Sequence, residues 1–119
     1  MTARKKKKRE PKVHRVYCTY LPDGRYYIGY SCKPEKLYEK YYGSSSQILE
    51  MIKEENHGLE KETIAVYSKK SHAKAVEHLL QWEFRKDERC MNDMWNVRLR
   101  LSHLKDLEEP EWSPRTPTD

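Results

Sequence analysis

Two tyrosines sit in a stretch built to bring them together. Val16-Tyr17-Cys18-Thr19-Tyr20 and Arg25-Tyr26-Tyr27-Ile28-Gly29-Tyr30 are strand-forming runs on either side of Leu21-Pro22-Asp23-Gly24. Asp-Gly between strand formers signals a hairpin, because glycine supplies the positive φ that the turn needs. The runs then lie antiparallel, with Tyr17 and Tyr27 on neighbouring strands. A phenol titrates near pH 10, so each tyrosine can donate a hydrogen bond. To act as a base it needs a cation or metal beside it. Aromatics on a hairpin also pack on a core, and pattern alone gives that reading about half the weight.

The carboxylates that could join them lie on a helix. Val76, Leu80 and Phe84 recur at i, i+4, i+8, with Ala73 and Leu79 beside them, which predicts a helix over 72–86 capped by Ser71. Glu77 and Glu83 fall on the flanks of that apolar stripe, Glu83 nearer its centre, and periodicity does not choose between them. Either one could equally be a rim glutamate paired with a lysine or arginine.

The remaining elements follow in order. Pro34 to Tyr41 predicts a short helix ending before Gly43, with Lys36 and Lys40 sharing a face. Ile48, Leu49 and Ile52 predict a second helix, started within Ser44-Ser45-Ser46 and stopped at Gly58. Glu62 to Tyr67, containing Thr63-Ile64-Ala65-Val66-Tyr67, reads as a third strand, and its apolar density predicts burial beside the hairpin. Residues 87–96 read as a loop and Val97–Leu107 as a last helix. The fold class is therefore α+β, a small three-stranded antiparallel sheet flanked by helices. One domain over 13–107 carries a disordered basic arm at 1–12 and a frayed acidic, proline-rich tail at 108–119.

Charge is concentrated. Residues 1–12 hold seven basic side chains and one acid, against a net charge of +5 for the whole chain. Lys5, Lys6, Lys7 and Lys8 in that arm are an electrostatic footprint for a polyanion, giving affinity without sequence specificity. With 36% hydrophobic and 36% charged residues the core must be small, which excludes a large cofactor pocket. No apolar run is long enough to span a membrane. Cys18, Cys32 and Cys90 match neither zinc spacing nor a disulfide framework, which predicts reduced thiols in a cytoplasmic setting.

The wording of the hairpin resembles the GIY-YIG nucleases, whose two tripeptides bring two tyrosines into one active site. Tyr27-Ile28-Gly29 is the second motif; Arg15-Val16-Tyr17 stands where the first would be and keeps its tyrosine. Tyr41-Tyr42-Gly43-Ser44-Ser45 is similar to the motif after the YIG strand in a branch common in phage genomes. Ala75-Val76-Glu77-His78-Leu79-Leu80 resembles that family's metal-binding glutamate and its Leu-Leu pair. Asn92-Asp93-Met94-Trp95-Asn96 resembles the closing motif, whose last asparagine is near the active site. The resemblance covers about residues 15–100.

The resemblance implies Mg²⁺ (or Mn²⁺) on Glu77, Tyr17 as base or water-orienting group, Tyr27 bonded to phosphate or water, and Asn96 near the reacting phosphate. The family's basic residue after YIG, usually arginine, is absent. Lys40 or Lys36 must stand in, without the bidentate fork of a guanidinium; Arg25 on the hairpin is a second candidate. The function implied is metal-dependent DNA cleavage, in the host cytoplasm if the chain is phage-encoded. A chain this small has no separate sequence-reading domain, so specificity has to come from the domain, a homo-oligomer or a protein partner. Two other classes compete: a nucleic-acid-binding module that has lost cleavage, and an RNA- or ribosome-associated protein with a basic arm.

Overall fold

The computed structural model describes residues 12–92 and 101–116. Strands β1 (His14–Tyr20), β2 (Tyr26–Ser31) and β3 (Glu60–Tyr67) form one antiparallel sheet in the order β2-β1-β3. Helices α1 (Glu35–Tyr38) and α2 (Ser46–Met51) lie between β2 and β3; α3 (Lys70–Glu83) and the short α4 (Leu101–Leu104) follow. The arrangement is the expected α+β one. The hairpin turns where Asp-Gly predicts: Leu21 N–H donates to Arg25 O at 2.8 Å, and Gly24 takes φ 92°.

β1 is central and buried on both faces. Val16, Cys18, Tyr20, Tyr26 and Ile28 project to one side and pack on Ala73, Val76 and Leu80 of α3. By strand alternation, Tyr17, Thr19 and Tyr27 project to the other. There Leu21, Ile48 and Leu59 form a smaller cluster, with Tyr27, Tyr42, Met51 and Met91 against it. Against β3 the register slips once: Val16 pairs with Ala65 and Tyr17 with Thr63. Ile64 is left as the extra residue of a bulge.

Several boundaries move for physical reasons. α1 stops at Tyr38 because the Lys61 ammonium, arriving from β3, bonds the carbonyls of Tyr38 and Tyr41. α2 stops at Met51 rather than at Gly58, since Lys53-Glu54-Glu55-Asn56 has nothing apolar to bury. Ser71 does not cap α3: the N-cap is Lys69, and Ser71 lies inside the helix.

Residues 108–116, expected to fray, instead pack across the far side of the domain. Trp112 meets Phe84 edge-on at 5.7 Å between ring centroids, and Leu107 joins the same core. Tyr67 donates its hydroxyl to Glu108 O at 2.5 Å, and Arg115 pairs with Glu60 at 2.6 Å. Among the described residues no helix is long and apolar enough to cross a membrane.

Candidate functional site

Tyr17 lies opposite Gly29, and Tyr27 opposite Thr19, so both phenols rise from adjacent strands on one face. Gly29 is what lets them share it. A Cβ there would sit 2.5 Å from Tyr17 Cζ and 3.0 Å from Tyr27 Cε1, with the Tyr17 hydroxyl also in its way. Gly43, at φ 133°, closes over the other side of Tyr27, where a Cβ would come within 2.9 Å of Cε1. The glycines of Tyr-Ile-Gly and Tyr-Tyr-Gly thus form the bed on which Tyr27 lies.

Tyr17 is only 1% exposed. Tyr38 and Tyr41 meet its ring edge-on at 6.1 and 5.9 Å. Burial first, then the neighbouring Tyr41 and Tyr27 phenols and the Glu77 charge, hold the Tyr17 phenol far above the ordinary tyrosine range. Burial likewise raises Tyr27, while a bond with Ser44 and the charge of Lys74 work the other way. Both are therefore neutral hydrogen-bonding groups in this fold. Of the two roles implied for Tyr17, a neutral phenol orients water as it stands, and acting as a base requires a cation or metal beside it.

The two candidate glutamates part company. Glu77 is 8% exposed on the α3 face turned toward β2, and its charge is felt by Tyr17, Tyr27 and Tyr30 alike. Glu83 is exposed in the last turn, beside Glu109 and Pro110. Leu79 is only partly buried, so the packed stripe of α3 runs along Ala73, Val76 and Leu80, with Glu77 adjoining it. The Glu77 carboxylate holds Lys74 Nζ at 2.9 Å and lies 3.7 Å from His78 Nε2. Burial keeps His78 below its usual pKa, against the pull of Glu77, so at pH 7 the lysine is its charged partner.

A cleft of about 730 Å³ has Tyr27 in its lining together with Arg25, Ser44, Gln47, Gln81 and Asn92. Arg25 is held at its mouth by Asp23, Nε to Oδ2 2.8 Å, and by Gln47 Oε1 at 3.0 Å. Tyr17 and Glu77 lie beside this cleft rather than in its lining. Lys36 and Lys40 are exposed, and neither makes an ion pair or a cation–π contact among the described residues. Asn96 and Lys5, Lys6, Lys7 and Lys8 lie outside the described residues.

Asn92 has a role that spacing does not reveal. Its Oδ1 accepts from Ile28 N–H and its Nδ2 donates to Ile28 O, both at 2.9 Å. Gln81 Nε2 donates to the same carbonyl at 3.0 Å. One buried amide thus satisfies the free edge of β2 beside the Tyr27 cleft. Asn92→Ala should orphan a buried donor and cost about 1–3 kcal/mol, read as a lower melting temperature; an unchanged melt would show that water replaces the amide without loss.

Sequence reasoning also passed over Arg15, Lys33 and Lys61. Arg15 stands two residues before Tyr17 on β1, so strand alternation alone could have found it. Lys61 bonds the carbonyls of Tyr38 and Tyr41, and burial pushes its ammonium down to about 8.

Among the described residues no group of three or more His, Cys, Asp or Glu could enclose a metal. The donor set still fits a hard divalent cation, which takes one or two carboxylates and fills its other positions with water and phosphate oxygens. Glu77 supplies the carboxylate, and the Lys74 side chain that now neutralises it is 41% exposed and free to swing away. No protein-family model, curated protein or solved structure matches the chain.

Proposed function

We propose that this chain is a metal-dependent endonuclease with a GIY-YIG-type site, hydrolysing phosphodiester bonds in DNA. The observation that carries the reading is the pairing of Tyr17 and Tyr27 on one sheet face within electrostatic reach of a nearly buried carboxylate, Glu77. A core does not need an acid there, and Glu83, equally available by helix periodicity, faces solvent.

In this reading Glu77 holds Mg²⁺ or Mn²⁺. The ion, when bound, supplies Lewis-acid stabilisation of phosphate charge and lowers the pKa of a bound water. Tyr27, in the cleft lining, donates its hydroxyl to a phosphate oxygen or to the water. Tyr17, fixed between Tyr38 and Tyr41, orients the attacking water. Arg25 lends positive charge at the cleft mouth, and the basic arm adds affinity. The three cysteines are free thiols, which supports a reducing, cytoplasmic setting.

Supercoiled plasmid incubated with the protein tests this. Nicked circles should appear with Mg²⁺ or Mn²⁺ and be abolished by EDTA; no nicking with either ion overturns the reading. The Lys74–Glu77 pair favours a second reading, since it neutralises the carboxylate without any metal. Plasmid retarded on a gel but never cut would identify a nucleic-acid-binding module on the same fold.

A further inference from the structure

Two cations rest on the tyrosines that flank Tyr17. The Arg15 guanidinium lies 4.6 Å from the Tyr38 ring centroid, and the Lys33 ammonium 4.9 Å from that of Tyr41. Both rings pack edge-on against Tyr17. Arg15 NH1 donates to Lys33 O at 3.0 Å, which ties the two residues together across the sheet. Lys61 bonds the Tyr38 and Tyr41 carbonyls and also lies over the Tyr38 ring, which ties this loop to β3.

Arg15 differs from the paired arginines of the domain. Arg25, Arg89 and Arg115 each hold a carboxylate. Arg15 and Lys33 hold none among the described residues. The protein fixes the guanidinium with a carbonyl and a ring, leaving most of its N–H groups unspent and its charge uncompensated. Such a fork matches the two oxygens of a phosphate.

We propose that Arg15 and Lys33 form a phosphate clamp that binds the nucleic-acid backbone one phosphate away from the Tyr17–Tyr27 pair. Two residues of strand separate Arg15 from Tyr17, about 7 Å along β1, close to the step between successive phosphates of a strand. This site rests on the nucleic-acid part of the reading above. It reads charge and not base identity: Arg15 and Lys61 lie over the Tyr38 ring and Lys33 over the Tyr41 ring, so cations sit where a base would stack. Phosphate contacts of this kind position a nucleic acid without specifying its sequence.

The test is fluorescence anisotropy with labelled DNA duplexes of several sequences, in EDTA, over a salt series. The proteins are the full chain and its Arg15→Gln, Lys33→Gln and doubly substituted forms, each checked for its melt. Each lost contact should flatten the slope of log K against log salt by about 0.9, equally for every sequence. Arg15→Lys should keep the slope and lose affinity, as charge remains and the fork goes. Lys33→Gln, at an exposed position, keeps the test valid if Arg15 variants fold poorly. An unchanged slope in the double variant overturns the clamp, as does a loss confined to one sequence or equal binding of a polyglutamate peptide. Plasmid nicking by the unaltered protein runs alongside. Nicking with an unchanged slope sinks the clamp alone, a flattened slope without nicking sinks the nuclease alone, and no DNA binding by the unaltered protein sinks both.

Discussion

Glu77→Gln is expected to slow plasmid cleavage in Mg²⁺ by roughly a hundred- to a thousandfold. Metal stabilisation of a phosphoryl transition state is worth several kcal/mol, and each ~1.4 kcal/mol is tenfold in rate. Glutamine keeps the size of the side chain and an oxygen that can still accept from Lys74, but removes the anion. The fold should survive: the charge left without its partner is that of Lys74, whose side chain is 41% exposed and so open to water. DNA binding in EDTA should hold or tighten, since a negative charge near phosphate has gone. Glu83→Gln is the control, and it should cut as the unaltered protein does, because Glu83 is exposed away from the tyrosines. Undiminished cleavage by Glu77→Gln, or its loss in Glu83→Gln alone, would move the metal to the other glutamate. Both would be read from initial rates at saturating plasmid.

What could be read along the chain, and what could not, divides by range. The hairpin, its turn at Gly24 and the alternation that sets Tyr17 and Tyr27 apart from Val16, Cys18 and Ile28 are local, and they stand as expected. The third strand is local too, though it begins earlier, at Glu60, and the burial expected of it is not found: as an outer strand of the sheet it has no buried residue, and Val66 is 57% exposed. The choice between Glu77 and Glu83 is not local. A helical wheel puts both on the flanks of one stripe, and only the partial exposure of Leu79 tips the packed face toward Glu77. Asn92 on Ile28, and Lys61 on Tyr38 and Tyr41, join segments far apart in the chain, and no spacing rule links them. Composition misled at 108–116: prolines and acids suggest disorder, but Trp112 and Arg115 find Phe84 and Glu60 waiting. The absent arginine of the first helix directed attention to Lys36 and Lys40, while the uncompensated guanidinium stands on β1, at Arg15.

Gly29→Ala should destabilise the domain by about 1–3 kcal/mol, the usual range for overpacking. For a domain of this size that is a fall in melting temperature of roughly 4–8 °C per kcal/mol. The reason is steric and not conformational. Gly24, Gly43 and Gly58 have positive φ, but Gly29 does not, so alanine fits its backbone. Elsewhere in a strand, glycine to alanine gains about 0.4–1 kcal/mol by restricting the unfolded chain. Here the new methyl meets Cζ of Tyr17 at 2.5 Å, and Tyr17, 1% exposed and edged by Tyr38 and Tyr41, has nowhere to retreat. Whatever gives way carries the phenol off its position above β2, and a displacement of about 1 Å can cost a hundredfold in rate. Cleavage should therefore fall with stability, without any charge or hydrogen-bonding group having been removed. Tyr17→Leu takes away the two atoms that collide and separates steric from other causes. In that background Gly29→Ala should be neutral or mildly stabilising, because the remaining contact, to Tyr27 Cε1 at 3.0 Å, needs only a small shift. Thermal melts of the four proteins measure this coupling directly. If Gly29→Ala costs the same in the Tyr17→Leu background as in the unaltered chain, the glycine is required for some reason other than making room for the tyrosine.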